Sequence, residues 1–228
     1  MSQHIQVGNK CVAGVHIHVV TTTPEKTLTV FHHFNTFKGY ASFCKFINFV
    51  LRKISTDDGH LFDIVAKIGR RAVSQVLPKL KSENQIDFVI AQAENMSTGN
   101  GITKKSLKEM QDAGVDFFTG GNHSFKKPEG LELMEDPKNN IIRPANYPED
   151  TPGRGWQIAE TPFGKVLVIN VLGQTFNGPE LKHPIRTIDE ILELNKDEKI
   201  SASLVDFHGD LTSEKVAIGF YLDRKSVV

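Results

Sequence analysis

Two polar signatures, Ala93-Glu94-Asn95 and Gly120-Gly121-Asn122-His123, stand just after two short apolar runs, Phe88–Ala91 and Val115–Phe118. Together they offer a carboxylate, two carboxamides and an imidazole. Such groups bind divalent cations through oxygen and nitrogen, and a histidine beside them titrates close enough to neutrality to move a proton. Two further polar residues hold comparable places. Asp63 lies in the run Leu61–Val65, and His208 follows Ala202–Phe207 in the string Asp206-Phe207-His208-Gly209-Asp210. Any one of them would pass for a turn or cap residue. Their recurrence at the ends of apolar runs points instead to metal-assisted chemistry. A carboxylate that bridges two cations about 3.5–4 Å apart makes a clamp for phosphoryl transfer.

The elements around these residues must place them together. Both apolar runs are β-branched or aromatic and bounded by turn residues, so they read as buried strands. Between them Ser106–Ala113 reads as a helix, with Thr103 as its N-cap and Gly114 closing it. Strand, helix, strand puts both signatures at the same end of two strands, where open α/β sheets gather their ligands. Upstream, Val73, Val76, Leu77 and Leu80 share one helical face and predict a helix over Gly69–Lys81, which Pro78 should weaken or kink. Downstream, Pro128–Met134 reads as a helix and Asn139–Arg143 as a strand entering the rigid loop Pro144–Pro148. Lys165–Leu172 and Ala202–Phe207 read as buried strands. Thr187 with Glu190 predicts a capping box for a helix over Ile188–Asn195, and Thr212 caps Ser213–Phe220.

Residues 1–62 follow a different grammar. They hold six of the nine histidines and both cysteines, Cys11 and Cys44, with no regular alternation of elements and turns. Val12–Val20 reads as a strand and Phe43–Leu51 as a short helix or strand. His16 and His18 form an H-x-H pair whose rings would share one strand face, which suits a metal. Chance alternation explains the same pattern. The expected organisation is an atypical extension over 1–62 and an α/β domain over 63–228. The chain of 228 residues has a formal net charge of zero and a pI near 7.1, which gives no footprint for nucleic acid. Two cysteines make no disulfide framework, and no apolar run approaches a membrane span. The start lacks a secretory layout, so a soluble cytoplasmic protein is expected.

From Asp63 onward the chain resembles the YmdB-like metallophosphoesterases, a branch of the calcineurin-like binuclear metal phosphoesterases. The strings AENMSTGNGIT, GGNHSF, IIRPANYPEDTPGRG and DFHGDLTSEKVAIGFYLD carry the resemblance, in that order. It implies an α/β fold, a metallophosphoesterase-type β-sandwich flanked by helices. It also implies a centre of two divalent ions, Fe or Mn first and Zn or Mg after them. By the resemblance Asp63, Glu94, Asn95, Asn122 and His208 would be ligands, with Glu94 bridging. A metal-bound hydroxide would attack phosphorus, and His123 would be the general acid. The implied partner is a small phosphodiester, a cyclic nucleotide of the 2′,3′- or 3′,5′-cAMP kind, with homo-oligomer formation left open.

The sequence departs from the family pattern in two places. Phe62 stands where the family has a glycine before the first ligand. The family continues past the equivalent of Val228 into a Gly-Thr-His-Thr-His segment that completes both metal sites. The sandwich is therefore expected to be truncated on its C-terminal side, with one sheet edge open. His16 and His18, in a string that mimics the missing segment, are one replacement. The alternative function is a catalytically impaired member that acts by binding, including a cyclic-nucleotide sensor that does not cleave.

Overall fold

The computed structural model describes the backbone of residues 17–22, 27–32, 50–51, 62–84, 86–177 and 180–223, with side chains over 64–82, 86–175 and 180–222. In chain order the elements are β1 (Ile17–Thr22), β2 (Thr27–His32), β3 (Val50–Leu51), β4 (Phe62–Asp63), α1 (Ala66–Asn84), β5 (Phe88–Gln92), α2 (Lys104–Asp112) and β6 (Phe117–Thr119). There follow α3 (Pro128–Glu135), β7 (Ile141–Ile142), β8 (Trp156–Thr161), β9 (Gly164–Leu172), α4 (Gln174–Asn177), α5 (Pro184–Leu194), β10 (Ile200–His208) and α6 (Thr212–Asp223).

The strands form two sheets. One has the order β1-β2-β10-β9-β8; the other has β3-β5-β6-β7, with β4 also paired to β5. The two-residue period of a strand decides how they stack. In β5, Phe88 and Ile90 face the other sheet, while Val89 and Ala91 face helices. In β9, Val166 and Val168 join Phe88 and Ile90 between the sheets, while Leu167, Ile169 and Val171 turn outward to Ile188 and Ile191 of α5 and Ile218 and Leu222 of α6. On the far side of the other sheet, Val73 and Leu77 of α1, Leu107 and Met110 of α2 and Leu133 and Met134 of α3 cover Val89, Phe118 and Ile141. The result is helix, sheet, sheet, helix: the helix-flanked mixed α/β sandwich that the motifs imply.

Local chemistry sets the boundaries of α2. The Thr103 hydroxyl accepts from the Ser106 backbone N–H at 3.2 Å, and the Ser106 hydroxyl accepts from the Thr103 N–H at 3.0 Å. After the helix Gly114 sits at φ +102°, a left-handed conformation that a side chain would strain. Three expectations need correction. The helix α1 runs unbroken through Pro78 and is longer than Gly69–Lys81. Burial of Val73 and Leu77 on its inner face offsets the backbone bond that proline cannot make. Thr187 caps nothing: α5 begins at Pro184, and the Thr187 hydroxyl donates to the His183 carbonyl at 3.2 Å from inside the first turn. Proline's fixed φ suits the first helical position, so the helix starts one turn earlier than the capping pattern implies. Finally, β10 has no open edge. β2 lies parallel to it, pairing Ala202 with Thr27 through Phe207 with His32, and β1 pairs antiparallel with β2. His18 lies in β1 opposite Phe31. The expectations for His16 and for 226–228 fall outside the described residues.

Candidate metal centre and active site

All the functional strands end at one rim. β4, β5, β6 and β7 run parallel, and so do β9 and β10. Glu94 and Asn95 follow the end of β5, and Asn122 and His123 follow β6. His208 is the last residue of β10. Asp63 pairs with Gln92 at the end of β4, and the chain after it is tied to the same turn. The Ile64 N–H donates to the Gln92 carbonyl at 3.1 Å, and the Ala66 N–H to the Asn95 carbonyl at 2.9 Å. The Asp63 side chain lies outside the described set.

Glu94 is the centre of the cluster. It is buried to 1% exposure, and His208 to 2%. Its Oε1 lies 3.5 Å from His208 Nε2 and 4.0 Å from His123 Nδ1. Asn95 Nδ2 donates to Oε1 at 3.0 Å, and the His123 backbone N–H donates to Oε2 at 3.0 Å. These bonds settle the tautomer of His123. A carboxylate only accepts, so the amide nitrogen of Asn95 faces Glu94 and its oxygen faces His123. That oxygen lies 2.8 Å from His123 Nδ1, which must therefore carry the proton, leaving Nε2 to face outward. The His123 side chain is 33% exposed, enough to meet a substrate.

Gly121 lets the two strand ends approach. A Cβ there would sit 2.1 Å from Glu94 Oε2 and 2.6 Å from its Cδ. Asn122, half-buried, is held between Gly121 and His123, whose backbones both press on the same carboxylate. Gln92 braces the arrangement: its Nε2 donates to the Gly120 carbonyl at 3.0 Å, and its Oε1 accepts from the Glu94 N–H at 3.1 Å. The rim thus brings Glu94, Asn95, His123 and His208 together, with Asn122 beside them.

Burial shapes the charges. The His208 imidazole is pushed down to about 4, first by burial and then by His123 and Lys215, so it is a neutral donor of a lone pair near pH 7. Asp206, two residues earlier on β10, is raised to about 7, chiefly by burial; the Thr119 hydroxyl opposes the rise and the Glu94 charge adds to it. Tyr147 is also raised, by burial first and by Glu94 second, while Arg143 opposes. Sequence reasoning gave Asp206, Tyr147 and Gln92 no role. The Asp206-x-His208 spacing, which puts both side chains on one face of a strand, was the available signal for the first.

The donor set suits a divalent ion: an anionic carboxylate, a neutral imidazole and carboxamide oxygens, without thiolate. Among the described residues no three His, Cys, Asp or Glu side chains converge tightly enough to hold a metal by themselves. Any such shell would have to draw on carboxamide oxygens or on side chains outside the described residues. No helix among the described residues is long and apolar enough to cross a membrane.

A profile of the YmdB-like protein family matches residues 60–228. The chain is 36% identical over 164 residues to the 2′,3′-cyclic-nucleotide 2′-phosphodiesterase of Bacillus subtilis, covering 72% of this chain and 61% of that one. It is 32% identical over 168 residues to a protein of Mycoplasma genitalium named as a phosphatase/phosphodiesterase, covering 72% and 58%. Among solved structures, a protein of Thermus thermophilus matches with a TM-score of 0.65 at 38% identity, covering 71% of this chain and 61% of that one. A phosphatase of Mycoplasma pneumoniae matches with a TM-score of 0.63 at 31% identity, covering 70% and 58%. The chain spans 58–61% of the length of these relatives.

Proposed function

On the footing that this chain belongs to the YmdB-like protein family, we propose that it is a metal-dependent phosphodiesterase acting on small phosphodiesters, 2′,3′-cyclic nucleotides foremost and 3′,5′-cyclic ones after them. The observation that carries this reading is the meeting of three strand ends at one carboxylate: Glu94 Oε1 lies 3.5 Å from His208 Nε2 and 4.0 Å from His123 Nδ1. Glu94, Asn95, Asn122, His208 and Asp63 are the residues that would hold a pair of divalent ions, Fe or Mn first and Zn or Mg after them. Such ions, when bound, polarise phosphoryl oxygens and lower the pKa of a water. The chain's own residues do the rest. Glu94, buried and anionic, offsets the charge of two cations, and His208 stays neutral. Asn95 fixes the His123 ring so that Nε2 faces the half-open rim. There His123, when both ring nitrogens carry a proton, gives the Nε2 proton to the ribose oxygen as water adds to phosphorus and the P–O bond to that oxygen breaks. An alkoxide is a poor leaving group, so a placed donor is worth about 10²–10⁴ in rate.

The test is hydrolysis of bis(p-nitrophenyl) phosphate and of 2′,3′-cAMP with Mn²⁺ supplied after chelator dialysis. E94Q is expected to lose metal and turnover together. H123A is expected to keep metal and lose turnover on the cyclic nucleotide most, since p-nitrophenolate needs little protonation to leave. Full activity in the chelated protein, or in H123A on both substrates, refutes the reading. A second reading is binding without turnover by the same rim. Cyclic-nucleotide binding with no hydrolysis in Mn²⁺ would select it.

A further inference from the structure

A cavity of about 360 Å³ opens at the outer strands of the same rim, bounded by Arg143, Arg154, Trp156, Gln157 and Ile158. Arg143 follows β7, the last strand of one sheet, and Trp156 begins β8, the last strand of the other. The Arg143 N–H donates to the Arg154 carbonyl at 2.8 Å, so the backbone brings two guanidinium-bearing residues side by side. Their fixed charges have little reason to share one cavity unless something negative enters it.

The hydrogen bonds point the same way. Arg143 is 7% exposed, and its terminal nitrogens are taken up by the Pro144 carbonyl at 2.7 Å and the Thr151 carbonyl at 3.2 Å. Its Nε is buried with no acceptor among the described residues. Arg154 has two more buried nitrogens without an acceptor among them, Nε and Nη2. Buried N–H groups of a cation that lack acceptors are rare and costly, and they usually mark an unseen partner. The adjacent Nε and Nη2 of one guanidinium are the fork that grips two oxygens of a phosphate or carboxylate. Burial pushes the Arg143 pKa down, and Tyr147 opposes. The cavity is at the lower end of the volume range of small-molecule sites, about 300–1,000 Å³. Trp156 and Ile158 give it an apolar wall against which a flat organic body can lie.

We propose that Arg143 and Arg154 form a second binding site, for the oxyanion of a small organic phosphate or carboxylate, built from residues other than those of the Glu94–His208 cluster. It lies on the same rim as that cluster, because Arg143 follows β7, which pairs with β6, the strand that leads to His123. The proposal does not depend on hydrolysis and can be tested in protein stripped of metal.

Trp156 is the single tryptophan of the chain and lines the cavity, so its emission reports what enters. Metal-free protein is titrated with inorganic phosphate and, separately, with acetate, at ionic strength held constant with KCl. Emission and calorimetric heat are followed together, and the better-bound anion names the oxyanion class. The expected result is a saturable change with at least one anion. In R154Q its midpoint should rise at least tenfold, while E94Q titrates like wild type. R154K keeps the charge without the fork and should fall between wild type and R154Q; it serves if R154Q melts early. Neither signal saturating with either anion in wild type overturns the proposal. So does R154Q titrating like wild type, or E94Q shifting the midpoint as far as R154Q.

Discussion

Replacing Gly121 by alanine is the sharpest test of how the rim is built. The new Cβ would lie 2.1 Å from Glu94 Oε2, 2.6 Å from Glu94 Cδ and 3.0 Å from Gln92 Nε2. An ordinary contact needs about 3.5–4.0 Å, so the carboxylate or the backbone must move by more than 1 Å. A glutamate at the surface would swing aside at little cost. This one is 1% exposed and pinned at both oxygens, Oε1 by Asn95 and Oε2 by the His123 N–H. Overpacking of this kind costs about 1–3 kcal/mol. At about 2–4 °C per kcal/mol for a chain of this size, Tm should fall by about 2–12 °C. The functional effect should be larger in proportion, because a 1 Å misplacement at a reacting centre can cost about 10²-fold. Differential scanning calorimetry and Mn²⁺-dependent phosphodiester hydrolysis measure the two effects. A G121A protein that melts and turns over like wild type would show that Glu94 is not clamped between the two strand ends.

Three other outcomes are expected. H123N should bind as much Mn²⁺ as wild type by metal analysis yet hydrolyse 2′,3′-cAMP about 10²–10⁴ times more slowly, if the ring acts in the proposed role of proton donor and not as a ligand. T103A removes the reciprocal cap on α2 and should cost about 1 kcal/mol in urea unfolding, whereas T103S should be near neutral. Arg70 bonds Glu109 of α2 through Nε at 2.7 Å and the Met96 carbonyl through Nη1. R70M should therefore cost about 1.5–3 kcal/mol, measured by the same unfolding curves, by parting α1 from α2 and from the turn that carries Glu94.

The sequence by itself determined those features that depend on neighbours in the chain. Short apolar runs rich in β-branched and aromatic residues, Phe88–Ala91 and Lys165–Leu172, named buried strands. Thr103 and Gly114 bracketed α2, and the polar residues at strand ends named Glu94, Asn122, His123 and His208 as candidates. Local patterns can also mislead, as Thr187 did. A Ser/Thr-x-x-Glu pattern is equally comfortable one turn inside a helix when a proline such as Pro184 already suits the first position.

Only the tertiary structure decided what depends on partners distant in the chain. No local rule predicts that β2 lies beside β10, because strand register is set by which edges and apolar faces are left to pair. The same holds for the proton on His123, which follows from two hydrogen bonds of Asn95 across the rim. It holds for Asp206 as well, whose carboxyl is shifted by burial that appears only once the two sheets close over it. Arginine in a turn is unremarkable as sequence. Arg143 and Arg154 become notable only when a strand edge and a loop shut their nitrogens away from water.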